Sequence, residues 1–241
     1  MKKNLLFGAM LLMAGSLLAA DSSPKDDATA AAKKLADTSY SWKMTMDLGP
    51  NSQFTPGPTE GKADKDTTWL SSTFQDNTSI GVAKGKKVVV KTDEGWKTAE
   101  ELGDGNGGFD MNTFMARRMQ NFKAPSAELQ DLISQAGELK KDGDVISGDL
   151  TKEGAEGLLT FGGRGRGGNG GGANRPAPKD AKGTLKIWLK DGVLVKYETK
   201  VTGKVDRQGE ETAVERTNTT EIKDVGTTKI ELPDDAKKKL G

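Results

Sequence analysis

The chain has 241 residues, with 36 Lys and Arg against 35 Asp and Glu, 31 glycines, 5% aromatic residues, and neither histidine nor cysteine. Lack of histidine and cysteine removes the commonest general base, thiol nucleophiles, the usual zinc ligands and disulfides together. Balanced charge argues against a nucleic-acid partner, which needs a cationic footprint.

Lys2, Lys3 and Asn4 precede an apolar run from Leu5 to Leu18 that ends in Ala19 and Ala20. This pattern predicts a secretory signal peptide over residues 1–20; the length of residues 21–241 allows one domain or two small ones, and one is expected. The run is shorter than the roughly 20 residues of a membrane span, so the expectation is export to the periplasm, or otherwise out of the cell, and solubility after cleavage. An uncleaved anchor is the alternative. Cleavage would remove Lys2 and Lys3, leaving 34 basic against 35 acidic side chains, and no cysteine is present to carry a lipid anchor.

The stretch "ATAAAKKLADT" predicts a helix of about three turns. "YSWKMTMDL" then alternates strictly: Tyr40, Trp42, Met44, Met46 and Leu48 share one face of a strand, and Ser41, Lys43, Thr45 and Asp47 the other. Pro56, Gly57 and Pro58 mark a loop. Strands are expected near 60–66, 67–75, 78–84 and 86–92, with a short one at Trp96, separated by "KGK" and "DEG" turn signals.

After the loop "LGDGNGGFD", Met111, Phe114, Met115, Met119 and Phe122 recur at helical spacing, with Asp110 as the N-cap. A second helix carries Leu129, Leu132, Ile133 and Ala136, with Ser126 as its cap and Gly137 as its stop. "DGDVISGDLT" reads as a strand and "KEGAEGLL" as a short helix or turn. The Gly/Arg-rich segment 162–178 reads as a flexible insertion.

The clearest hairpin follows. Leu185, Ile187 and Leu189 alternate with Lys186, Trp188 and Lys190, Asp191-Gly192 makes the turn, and Val193, Val195, Tyr197, Thr199 and Val201 form the returning face. A long strand from Glu211 to Lys223, a turn at 224–226, a short strand in "TTKIELP" and a helical turn starting at Pro233 close the chain.

Catalytic and metal signatures are weak. Ser22 and Lys25 have the S-x-x-K spacing but sit beside the cleavage site. Gly163, Gly165 and Gly168 match the dinucleotide fingerprint as a string, without the strand before and helix after that would hold a pyrophosphate. Asp142, Asp144 and Glu153 suit a calcium loop, but Ser147 occupies the position that needs glycine. Asp142 and Asp144 could alternatively serve a hydrolase as a carboxylate pair. No enzyme activity, metal or cofactor is expected.

Methionine conforms to changing apolar partners, whereas a core with one tight packing favours branched aliphatics. The faces of Met44 and Met46, and of Met111, Met115 and Met119, therefore admit a ligand-lined cavity as well as an ordinary core.

The order of elements resembles the periplasmic lipoprotein-carrier superfamily, the LolA/LolB type, and its mycobacterial lipid-binding relatives of the LppX/LprG type. "GTLKIWLKDGVLVKYETKV" and the tail "TTEIKDVGTTKIELPDDAKKKL" carry the resemblance. It implies an α+β, mainly β fold: a strongly curved antiparallel sheet, an incomplete barrel, with helices covering its concave face. It also implies a monomeric carrier of lipid or lipoprotein acyl chains, with a membrane surface or envelope protein as further partner. The implied apolar cavity is lined by Tyr40, Trp42, Met44, Met46, Leu48, Met111, Phe114, Met115, Met119, Phe122, Leu185, Ile187, Leu189, Val195 and Tyr197. The alternative is an envelope interaction or stress-sensing module without lipid transport.

Overall fold

The computed structural model describes residues 22–50, 52–53, 55–74, 77–103, 110–160, 176–207 and 209–241. The expected signal peptide lies outside the described residues, as does nearly all of the expected insertion. No helix among the described residues is long and apolar enough to cross a membrane.

Helix α1 (Pro24–Ala36) starts four residues before the alanine-rich run. Ser23 accepts a hydrogen bond from the Asp26 N–H, and Pro24 occupies the first turn, where its missing donor costs nothing. Strand β1 (Tyr40–Asp47) follows, and the chain then moves outward through β2 (Thr59–Asp64), β3 (Thr67–Phe74), β4 (Asn77–Lys84), β5 (Lys87–Thr92) and β6 (Gly95–Thr98). These strands match the alternation and turn signals closely.

Three helices come next: α2 (Ala99–Leu102), α3 (Met111–Gln120) and α4 (Pro125–Ser134). Asp110 caps α3 as expected: its carboxylate accepts from the N–H groups of Asn112 and Thr113. Ser126 does not cap α4. Ala124 holds the cap position with no side-chain bond, and the Ser126 hydroxyl lies buried against the Tyr40 hydroxyl at 3.2 Å. Helix α2 stands where no helix is expected, held by a complete capping box between Thr98 and Glu101.

The second half is β7 (Lys140–Asp142), β8 (Val145–Asp149), α5 (Lys152–Leu159), β9 (Lys179–Lys190), β10 (Val193–Arg207), β11 (Glu210–Lys223) and α6 (Asp234–Leu240). The single strand expected in "DGDVISGDLT" is a hairpin that turns on Gly143, at φ 57°. The expected strand in "TTKIELP" does not form. Both edges of β11 are already paired, and residues 227–233 cross to the other side of the sheet.

All eleven strands form one antiparallel sheet in the order β6-β5-β4-β3-β2-β1-β11-β10-β9-β8-β7. The sheet is neither closed nor strongly curled, which corrects the expected incomplete barrel. Strands β6 and β7 end the sheet as separate edges, so the strand count alone did not impose closure.

One face carries the main core. Tyr40, Trp42, Leu70, Val88 and Val90 meet Met115 and Met119 of α3 on one side. Leu185, Ile187, Leu194 and Tyr197 meet α1 and α4 on the other. A smaller core covers part of the opposite face, where Val82, Val89 and Trp96 pack against Ala236 and Leu240 of α6. Strand β5 is thus buried on both faces, which explains its unbroken Val88-Val89-Val90 run.

Two glycines permit this packing. The Trp42 indole lies flat across Gly61, its partner on β2, and stacks on Phe122 with ring centroids 5.8 Å apart. A methyl group at Gly61 would fall inside the indole. At Gly81 a methyl would come within 2.6 Å of Met119 Cγ, a flexible side chain that can shift. Gly61→Ala should therefore destabilise by about 1–3 kcal/mol and Gly81→Ala by less. Chemical denaturation checks the order, and equal losses would contradict the rigid seat assigned to Trp42.

Candidate functional site

The proposed lining residues divide into three groups. Tyr40, Trp42, Met115, Met119, Leu185, Ile187, Leu189 and Tyr197 are buried in the continuous main core, with Phe122 packed against it. Met44, Met46, Leu48, Met111 and Val195 are half-buried and lie outside that core, and Phe114 is exposed. Val195 leaves the face because the ladder shifts between Leu194 and Lys196. The bulge puts Leu194, opposite Leu189, into the core instead.

Two pockets open elsewhere. One lies beside the C-terminal helix between Asp64, Lys84, Leu232 and Leu240, the other beside Ala99, Gly103 and Gln120. Neither is bounded by a proposed lining residue.

The half-buried residues of β1 occupy a distinct place. Met44 stands between Thr59 of β2 and Thr220 of β11, and Met46 opposite Asn218. Period-two geometry keeps Met44, Met46, Thr59, Thr220 and Asn218 on the helix-bearing face with Trp42. Helix α3 packs most closely on β4 and β5, and helices α1 and α5 on β9 and β10. Strands β1 and β11 run between these two groups, which leaves a lane along Met44, Met46 and Leu48 less covered than the core on either side.

Polar groups flank the lane. From α3, Arg118 Nη1 donates to Ser72 Oγ at 2.8 Å and Nη2 to Thr59 Oγ1 at 3.0 Å. Burial pulls the Arg118 pKa below its ordinary value, and among the described residues no carboxylate lies within ion-pair distance of it. From β11, Arg216 Nη1 donates to the Leu158 carbonyl of α5 at 3.0 Å, and its pKa is also lowered by burial. The Asn218 Oδ1 atom is buried without a donor among the described residues.

Arg118 was legible in outline. Met111, Met115, Arg118 and Phe122 follow spacings of four, three and four, so the sequence places a cation on the apolar stripe of α3. Its hydroxyl partners come from strands that only the sheet register brings together.

A second polar cluster lies deeper. The Tyr197 hydroxyl donates to Glu128 Oε2 at 2.5 Å, while Tyr40 and Ser126 bond to each other nearby. Burial raises the Glu128 pKa, with the Tyr197 hydrogen bond opposing it and Asp131 reinforcing it. Burial pushes the Tyr197 hydroxyl well above its usual range, followed by the Glu128 charge. This arrangement braces α4 on β10 and gives no nucleophile or proton relay to the lane.

The Ser22 hydroxyl donates to the Asp27 carboxylate. Asp142 and Asp144 are exposed at the β7–β8 turn, and no metal-holding cluster occurs among the described residues.

No family model matches the chain, and no curated protein matches it in sequence. Among solved structures, a Nitrosomonas europaea protein described as AttH aligns over 80% of this chain at 13% identity, with a TM-score of 0.16. This chain spans about half the length of that protein, 53%. A likeness at that score carries no argument about fold or function.

Because Glu128 has a raised pKa in the folded state, the unfolded chain ionises first as pH rises. Stability is therefore whole below the ordinary Glu pKa and falls as pH climbs through the folded value. Glu128→Gln keeps an acceptor for Tyr197 without the buried charge. It should raise the melting temperature by a few degrees at neutral pH, with the gain vanishing in acid. A pH-independent difference, or a loss at neutral pH, would contradict the cost assigned to the carboxylate.

Proposed function

We propose that this protein binds acyl chains, along the lane of Met44, Met46 and Leu48 on the helix-bearing face of the sheet. The observation that carries the reading is the partial burial of Met44 and Met46, inward-facing residues of a central strand, and of Leu48 just past its end, between two helix groups that fill the face on either side. A central strand of a sheet covered on one face normally seals such residues into the core, as Tyr40 and Trp42 of the same strand are sealed. Methionine side chains suit the lane because they adapt to a guest without losing contact.

The lipoprotein-carrier resemblance supports the same ligand class, and an exported protein would meet lipids at the envelope. The core residues Tyr40, Met115, Ile187 and Tyr197 then serve as the walls and supports of the lane. Burial drives capture: each methylene withdrawn from water contributes about 0.8 kcal/mol, which offsets the cost of ordering a chain of ordinary length. Release requires only a partial lift of α3, whose soft contacts at Met115 and Met119 can re-form against the sheet.

Mass spectrometry of an organic extract from the gently purified chain, with titration of a long-chain fatty acid, tests the proposal. Acyl lipid in the extract and saturable binding are expected, and Met46→Asp should weaken binding about tenfold or more by placing a charge on the lane. A lipid-free extract together with absent fatty-acid binding would remove the reading.

A further inference from the structure

The lane is one strand wide, and its borders are polar. Thr59 stands on one side of Met44 and Thr220 on the other, with Asn218 beside Met46. Its strand portion, Met44 to Met46, spans roughly 7 Å, and the chain runs on past the end of β1 to Leu48. At the Met44 end lies the Arg118 guanidinium, fastened to the Thr59 and Ser72 hydroxyls, with Ser79 buried one strand further on.

A guanidinium withdrawn from water ordinarily has a carboxylate beside it, because its desolvation is otherwise uncompensated. Here both described partners are neutral hydroxyls. Two bonds leave the guanidinium with further N–H donors in a fixed planar fork, which matches the oxygens of a carboxylate or phosphate. Thr59 Oγ1 and Ser72 Oγ lie 3.4 Å apart, so one donates to the other, and the pair holds the fork in orientation with one hydroxyl proton left for an anion.

From this juxtaposition we infer that the site takes a single-chain anionic amphiphile. Its carboxylate or phosphate head is received by Arg118 with Thr59 and Ser72, and its tail lies along Met44, Met46 and Leu48. The inference rests on the acyl-binding reading and adds to it the charge, position and number of chains of the ligand. Thr59 and Thr220, both already buried, close the lane on either side of Met44, so it seats one hydrocarbon chain. The anion would supply a countercharge, and the desolvation that depresses the Arg118 pKa would be offset on binding.

The test uses the full chain with four probes: palmitate, methyl palmitate, acetate and inorganic phosphate. Palmitate should bind at least about tenfold more tightly than its methyl ester, which has the same tail without the charge. In Arg118→Gln that preference should collapse toward unity while the ester's affinity is unchanged. Far-UV circular dichroism checks that the variant folds, and the comparison of acid with ester in the natural protein stands even if it does not. Acetate and phosphate should bind far more weakly than palmitate, and equal binding would mark a free-anion site and overturn the amphiphile assignment. Equal binding of acid and ester, or a preference that survives Arg118→Gln, would overturn the head-group assignment and leave acyl binding standing. If neither palmitate nor its ester binds, both readings fall.

Discussion

Pairing between β1 and β11 is the constraint on which the rest of the structure depends. It joins an outward meander, β1 to β6, to a returning one, β7 to β11, and so places the beginning and end of the described chain at the centre of one sheet. The chain must then travel from the β6 edge to the β7 edge without crossing its own ladder. Helices α2 to α4 make that journey over one face. Helix α1 joins them there, and the same face becomes the main core.

Such a crossing covers a wide sheet unevenly. Aromatic and methionine side chains fill the ground under α3, where Gly61 and Gly81 admit Trp42 and Met119. Leucines and isoleucines of β8 and β9 fill the ground under α1, α4 and α5. Between the two fillings the central strands keep polar groups facing inward: Thr59, Ser72, Thr220, Asn218 and Arg216. These could not lie under a closely packed helix without partners. The lane along Met44, Met46 and Leu48 and the cation at its end are therefore consequences of topology as much as of residue choice. On the opposite face, α6 covers β4, β5 and β6, and charged pairs such as Lys200 with Glu215 stand on the central strands beyond it.

Local elements were readable because they depend on local chemistry. Alternation in β1 and in the β9–β10 hairpin, the Asp-Gly turn, and the stripe on α3 all match the structure within a few residues. The failures have specific causes. Val195 left the predicted face because a bulge adds one residue to β10, which period-two reasoning cannot register. Ser126 had the chemistry of a cap, but Pro125 already began the helix and the hydroxyl was taken by Tyr40, eighty-six positions away. The tail 227–233 had strand composition, but β11, the strand it follows, is already paired on both edges.

By itself the sequence determined most of the strands and helices, the absence of histidine and thiol chemistry, and the presence of a cation on the apolar stripe of α3. Those features follow from side-chain type and from spacings of two or of three to four along the chain. Only the tertiary structure decided that the sheet stays open, that Tyr40, Trp42 and Met115 seal into a core while Met44 and Met46 do not, and that Arg118 meets Thr59 and Ser72. Each of these depends on which distant strands become neighbours and on where a helix crosses them. That outcome is set by the combined burial of the whole apolar surface and is not encoded in any short segment.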